Sequence, residues 1–401
     1  MLSEFVLPSD SMKRPEVMDF LIKFAQVHET FREAEIKALA LIDGFDLIIK
    51  EYDPDSPHCI VQLPSVETAK RLIRRSVLAQ SIHELWGKGT NYEEVHQYVK
   101  ETTSDRWPLY TNASFKFVIE PFRGTRSSDT RLRLINSFSF LPFKGPIRLS
   151  DPDQLFTVFE DWPFNSVPMG VENPDKVYLA RFIANSSRDS ILKFDLKKRE
   201  YISTTSMDSE LSLVTANIAM AAPGKLFYDP FVGTGSFPVA CAHFGAIAWG
   251  SDIDGRSMRG DGGKKSLRGN FLQYGLKGRL GDCFAADLTN TPLRSGRIWD
   301  GIVCDPPYGV REGLRVLGCK DPEKTPWVIE GSRQMSHLPG YVPTKKPYSF
   351  LAMLDDILNF AAESLVDNGR LSFWMPTAND ENQEILTPDH PCLETVVGLA
   401  D

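Results

Sequence analysis

The chain has 401 residues, 42% of them hydrophobic and 24% charged, the balance of a soluble globular protein with room for two or three domains. No apolar run approaches the ~18 residues needed to span a bilayer, and Glu4, Asp10, Lys13 and Arg14 break up the start of the chain, so neither a membrane segment nor a signal peptide is expected. Six scattered cysteines without a C-x-x-C pair argue against a zinc site or a disulfide framework and for the cytoplasm. The net charge of −8 is uneven: residues 61–150 hold 14 Lys/Arg against 8 Asp/Glu, or +6, leaving −14 elsewhere. That basic segment is interleaved with aromatics, a pattern that fits either a local nucleic-acid footprint or an ordinary solvated face; on the first reading Arg123, Arg126 and Arg131 are its candidate RNA contacts.

In chain order, the first ~88 residues alternate strand and helix patterns. Strand 20–24, helix 31–42, strands 46–52 and 59–63, helix 66–75 and strand 76–86 give the order β-α-β-β-α-β of a ferredoxin-like unit. Residues 89–190 form a second expected unit, with a helix over 92–101 and strands over 114–121, 155–160 and 176–184. His58, His83 and His96 are isolated and read as core or surface residues. A Lys/Arg-rich connector covers 191–204, and Thr205-x-x-Asp208 reads as the capped start of a helix opening the last domain, 205–401.

That domain carries the chemistry. Strand 225–228 ends in Asp229-Pro230-Phe231-Val232-Gly233-Thr234-Gly235, and a helix follows. A strand, a tight glycine turn and a helix form the ligand-binding corner of a doubly wound sheet. The phosphate-binding patterns G-x-G-x-x-G and G-K-[ST] are absent, and an acidic residue suits a cationic ligand instead. About 20 residues past the glycines, the spacing of a ribose-binding carboxylate, strand 247–251 ends in Asp252-Ile253-Asp254. Asp252 is the first choice for the ribose, with Ile253 against the adenine and Asp254 as runner-up. A helix over 264–274 leads to Gly281-Asp282-Cys283, where Asp282 is expected to accept from the adenine amino group.

The fourth strand, Ile302-Val303-Cys304, stops at Asp305-Pro306-Pro307-Tyr308. Neither proline has an N–H, and each drives its predecessor into an extended conformation, so Asp305 and Tyr308 sit on a stiff turn. D-P-P-Y is the tetrapeptide of S-adenosylmethionine-dependent methyltransferases acting on planar amino nitrogens. A carboxylate and the Pro306 carbonyl would hold the two N–H bonds of such a group, and an aromatic face would fix its ring. A polar stretch including Arg311, Arg315, Gly331, Arg333 and Gly340 follows, then a helix over 348–366 and a fifth parallel strand over 370–375.

These motifs resemble the catalytic subunits of the eukaryotic tRNA guanine-10 N2-methyltransferase family. The resemblance covers essentially the whole chain and is densest at 196–208, 229–237, 270–276 and 305–313. It implies a Rossmann-like class I methyltransferase domain preceded by a ferredoxin-like domain and a THUMP RNA-binding domain. It also implies that Asp229, Pro230, Phe231, Gly233, Gly235, Asp252, Ile253, Asp282 and Cys283 line an S-adenosylmethionine site, and that Asp305, Pro306, Pro307 and Tyr308 meet the base. The implied partners are tRNA and a small zinc-binding activator subunit in a heterodimer. Such domains finish with a β-hairpin, and here only 393–397 reads as a further strand, so the hairpin is expected to be incomplete. Two alternatives stay open: the same chemistry on adenine N6 of DNA or on a glutamine amide, and a catalytically silent RNA-binding subunit.

Overall fold

The computed structural model describes residues 17–308, 314–318, 329–330, 333–334, 344–376 and 386–398. The first sixteen residues, and Arg311, Gly331 and Gly340 of the polar stretch, lie outside them. The chain divides into two compact units, one of residues 1–32 and 43–187, the other of 33–42 and 188–401.

The first unit is built on one seven-stranded sheet. Its strands are β1 (Met18–Phe24), β2 (Ile48–Tyr52), β3 (His58–Leu63), β4 (Ala79–Gly89), β5 (Phe115–Phe122), β6 (Gln154–Asp161) and β7 (Lys176–Asn185), in the order β2-β3-β1-β4-β7-β6-β5. Only β5 and β6 run parallel. Helix α1 (Arg32–Asp43) and α2 (Val66–Arg75) complete the expected β-α-β-β-α-β order, and α3 (Tyr92–Thr102) and α4 (Ser128–Asn136) belong to the second half. Most of α1, however, groups with the second unit. The boundary expected at 88/89 falls inside β4, which pairs along its length with β7. Sequence spacing delimits elements but not their partners, so two sets of strands read as separate units share one sheet. Trp86, Phe156, Val158 and Leu179 are wholly buried in its core, with Phe138 packed against them.

One buried carboxylate organises the basic face of this unit. Glu160 is 0% exposed and accepts from the Tyr92 hydroxyl at 2.7 Å, Trp162 Nε1 at 3.0 Å and Arg126 Nε at 3.1 Å. Arg126 also donates to the Glu172 carbonyl at 3.0 Å and lies 4.5 Å from the Trp162 ring centroid. These contacts hold Arg126, one of the expected RNA contacts, against the sheet with its side chain 11% exposed. Arg123 and Arg131 are exposed, Arg123 with its guanidinium 4.8 Å from the Phe122 ring.

The second unit holds a five-stranded parallel sheet of, in order, β10 (Leu280–Ala285), β9 (Ile247–Asp252), β8 (Leu226–Asp229), β11 (Trp299–Cys304) and β16 (Leu365–Phe373). Helices α5 (Ser190–Phe194) and α6 (Ser209–Ile218) precede it. Then follow β8 (Leu226–Asp229), α7 (Ser236–His243), β9 (Ile247–Asp252), α8 (Gly255–Arg259), α9 (Leu267–Gln273), β10 (Leu280–Ala285) and β11 (Trp299–Cys304). Four short strands, β12 (Arg315–Leu317), β13 (Ile329–Glu330), β14 (Arg333–Gln334) and β15 (Lys345–Pro347), lead to α10 (Phe350–Ser364) and β16 (Leu365–Phe373). Tyr228 stacks on Trp299 with centroids 4.9 Å apart, and with Ile302, Ala361 and Leu365 it forms the core between sheet and helix.

Three local expectations differ. The N-cap of α6 is Asp208, accepting from Glu210 N at 2.8 Å, rather than Thr205. The last parallel strand begins at Leu365 because Leu365 already pairs with Trp299, and an irregularity carries the register to Arg370 opposite Gly301. Residues 393–397 are not a strand; Leu393 makes a single bridge to His390. Among the described residues no helix is long and apolar enough to cross a membrane.

Glu160→Ala should destabilise the first unit by about 3–5 kcal/mol, the cost of stripping a buried cation of its only carboxylate. Chemical denaturation checks this, and a loss below about 1 kcal/mol, the scale of an exposed pair, would show these contacts to be dispensable.

Candidate active site

In a parallel sheet all strands present their carboxyl ends to the same side, and ligands bind there at the switch of strand order. Here β8 is the central strand, between β9 and β11. The register brings the carboxylates together. Asp229 pairs with Gly250, two residues before Asp252. Ile302 pairs with Tyr228, which sets Asp305 two residues beyond the level of Asp229.

Asp229 is 2% exposed, and its Oδ1 accepts from Phe231 N at 2.9 Å. Burial pushes its pKa well above the ordinary carboxylate value; the Phe231 N–H opposes this, while the charges of Asp252 and Asp305 reinforce it. Its other oxygen takes no hydrogen bond among the described residues. Asp252 accepts from Gly233 N at 3.0 Å and from Asp254 N at 2.8 Å, so the carboxylate at the end of β9 also holds the glycine turn. Burial raises its pKa as well, against those two N–H bonds and the charge of Lys345. Asp254 is committed elsewhere: it caps α8 and binds Arg256 at 2.8 Å, which lowers its pKa to about 2. Ile253 lies half-buried between these two aspartates.

Between β8 and α7 the turn places Gly233 at φ +47° and Gly235 at φ +89°, where a side chain would strain the backbone. At Gly233 an added Cβ would meet nothing closer than 3.9 Å, so backbone stands open to the space beside Asp229 and Pro230. Phe231 packs against the cluster of Leu288, Leu314, Val316, Met353 and Ile357. The turn is bolted from behind by Asn270, 0% exposed, whose Nδ2 donates to the Thr234 and Tyr201 carbonyls at 3.0 and 2.8 Å. Arg199 donates to Ser236 Oγ at 3.0 Å. The connector around 199–201 thus belongs to the back wall of the site, a role its composition did not reveal.

Asp282 does not reach the strand ends. Ala285 stands opposite Asp252, so Asp282 lies three residues short of that level, half-exposed and bound to Arg268 at 2.5 Å. The carboxylate just past the end of β10 is Asp287, 3% exposed, which accepts from Thr289 N and Thr289 Oγ1, both at 2.9 Å, and from Leu317 N. Phe284 and Ala285 carry β10 beyond Cys283. Cys283 itself is largely buried, and burial pushes its thiol up to about 12.

Asp305 follows β11 directly, with Pro306 buried and Pro307 half-buried behind it. Burial raises its pKa, and a hydrogen bond donated by the Tyr308 hydroxyl pulls it back. Tyr308 meets Phe350 edge-on at 6.1 Å between centroids. The site therefore gathers one buried carboxylate, Asp229, and two half-buried ones, Asp252 and Asp305, around an open glycine turn, an arrangement complementary to a cation, together with an aromatic ring on the Asp305 loop.

A family model described as the Tmrp11 THUMP N-terminal domain matches residues 18–188, and one described as an RMKL-like methyltransferase domain matches residues 197–315. The chain is 42% identical over 382 residues to the tRNA (guanine(10)-N(2))-methyltransferase of Saccharomyces cerevisiae, covering 94% of this chain and 88% of that one. It is 37% identical over 393 residues to tRNA (guanine(10)-N(2))-methyltransferase TRMT11 of Homo sapiens, covering 94% and 83%. A solved structure of a possible methylase from Clostridium difficile 630 is similar at a TM-score of 0.40 and 14% identity over 74% of this chain and 82% of that one, too slight a likeness to argue from. By sequence, this chain belongs to the tRNA (guanine(10)-N(2))-methyltransferase family.

Proposed function

We propose that the chain transfers a methyl group from S-adenosylmethionine to the exocyclic N2 amino group of a guanine in tRNA, at position 10 as in the names of its relatives. The observation that carries this reading is Asp305, a half-buried carboxylate on a proline-stiffened strand end beside the glycine turn. The cofactor, when bound, supplies an electrophilic methyl on a sulfonium. Asp229 and Asp252 fit such a group, since both are carboxylates at the strand ends beside the glycine turn, with burial raising the pKa of each. Asp252 takes the ribose hydroxyls while holding the turn, and Gly233 and Gly235 let backbone approach the methionine end. Ile253 and Cys283 flank the adenine, and Asp287 replaces Asp282 as the carboxylate at its edge.

Asp305 and the Pro306 carbonyl accept the two N–H bonds of the guanine amino group, which draws its lone pair out of conjugation and aims it for transfer. Tyr308 stacks on the base and Phe231 walls the pocket. In the resting site the Tyr308 hydroxyl occupies Asp305, so the incoming amino group displaces it. The base has to leave its stack to arrive there. A guanine amino group is not appreciably acidic, so its proton leaves after transfer. Arg123 and Arg131 contribute backbone contacts to the RNA from the first unit. The resemblance supports a small zinc-binding activator subunit as partner, and the terminal strands of the sheet among the described residues, β10 and β16, offer edges for it. A cytosolic location accords with five unbridged cysteines among the described residues.

The direct test is methyl transfer from labelled cofactor to unmodified tRNA, with and without the partner, followed by nucleoside analysis; label in any nucleoside other than N2-methylguanosine refutes the reading. Asp305→Ala should lower the transfer rate by ~10²–10³, the usual loss for one preorganised electrostatic contact, with cofactor affinity within a few-fold. Retention of half the activity would remove Asp305 from the chemistry.

Tyr308→Phe tests the resting contact through pH. Transfer needs the ionised carboxylate, so it is lost as pH falls through the raised pKa of Asp305. Removing a donor that lowers this pKa shifts the acid limb of the rate profile to higher pH. An unshifted limb, or one moved to lower pH, would show that the hydroxyl does not bear on Asp305.

Asp252→Ala should weaken binding of S-adenosylhomocysteine by roughly 1.5–3 kcal/mol, the value of hydrogen bonds to a charged group. Titration calorimetry reads this, and unchanged affinity would assign the ribose to another residue.

A further inference from the structure

Between the end of β9 and the start of β10 the second unit carries a segment opposite in charge to the rest. Residues 256–279 hold 7 Lys/Arg and a single acid, Asp261, or +6; the remainder of 188–401 holds 16 Lys/Arg against 26 Asp/Glu, or −10. Part of this charge is already spent. Arg256 is bound by Asp254 at 2.8 Å, Arg268 by Asp282 at 2.5 Å, and Arg279 donates to the Gly245 carbonyl. Arg259, Lys264 and Lys265 are exposed and have no acidic partner among the described residues.

The backbone beneath these three is tightly constrained. At Gly260, φ is +50° and an added Cβ would lie 1.8 Å from the Lys265 carbonyl oxygen. Asp261 N donates to that same carbonyl at 3.0 Å, and Gly262 N to the Arg259 carbonyl at 2.7 Å. Ser266 Oγ closes the turn on the Gly263 carbonyl at 2.6 Å and caps α9. The turn therefore presents its cations from a tied backbone. Helix α8, N-capped by Asp254, runs from the end of β9, which carries Asp252, to Arg259.

We propose that Arg259, Lys264 and Lys265, at the end of α8 and in the turn after it, form a ridge that binds the phosphate backbone of the substrate RNA. The inference rests on the reading that RNA is the substrate. Backbone tracking requires clustered Lys and Arg and no apolar anchor. A protein interface requires the reverse, an apolar centre depleted of lysine. Between Arg259 and Lys265 there is no apolar side chain, and the flanking Met258 and Leu267 are 6% and 1% exposed, while Leu272 farther along α9 is 57% exposed. The ridge thus offers an anion charge alone.

The test is the full chain carrying Arg259→Gln, Lys264→Gln and Lys265→Gln, compared with the unaltered chain for tRNA binding across a salt series. Losing three phosphate contacts should reduce the slope of log affinity against log salt by about 2–3 and weaken tRNA binding roughly 10- to 100-fold. The KM for tRNA should rise in parallel, with S-adenosylhomocysteine affinity and melting temperature unchanged. Lys264→Glu with Lys265→Glu, leaving Arg259 in place, should have the same direction. An unchanged slope and KM would overturn the ridge. So would a variant that binds tRNA normally but loses a protein partner. Failure of the unaltered chain to methylate any tRNA would instead overturn the proposed activity, which the binding slope does not depend on.

Discussion

The site depends on bringing like charges together inside the protein. Asp229, Asp252 and Asp305 come from three adjacent parallel strands, and the register leaves little choice about where they meet. Burying carboxylates is costly, and desolvation raises the pKa of all three, with the charges of Asp252 and Asp305 adding to the rise at Asp229. The protein offsets part of it with N–H groups of the turns: Phe231 for Asp229, Gly233 and Asp254 for Asp252. The turn conformation and the charge state are therefore one problem, because the glycine loop that opens the pocket also supplies donors to the acid at its edge. A bound cation relieves what the backbone leaves uncompensated.

Other parts of the second unit serve this arrangement at one remove. Asn270 holds the glycine turn to the connector around Tyr201 through a wholly buried side chain. Arg199 reaches the first residue of α7. Neither faces the pocket, yet both limit how far the loop between β8 and α7 can relax when the carboxylates repel. Tyr308 solves the same problem for Asp305 by lending it a phenolic hydrogen bond.

Much of the site was legible because its residues sit at strand ends marked by proline or glycine. Asp229, Asp252 and Asp305 all stand where apolar runs stop, and the parallel sheet follows from the spacing of those stops. Asp287 was missed since the strand before it contains no such mark: Phe284 and Ala285 prolong β10, and Asp282 invited an earlier end. The surroundings of the expected RNA contacts were hidden for a different reason. A run of arginines looks uniform in sequence, whereas Arg126 meets Glu160 only through a sheet that brings together residues 34 positions apart. The strand expected over 393–397 has the composition of a strand but no neighbour to pair with in the described structure.

The seven-stranded sheet of the first unit bears on how this protein can be divided. β4 joins β1 on one side to β7 on the other, and a cut between residues 88 and 89 falls at the last residue of β4. Separated at that point, each half would expose a full row of N–H and C=O groups, along β4 on one side and β7 on the other, with Leu85 and Phe159 stripped of a shared core. The seven strands of the first unit therefore hold together as one sheet, and division at that point would break the pairing of β4 with β7.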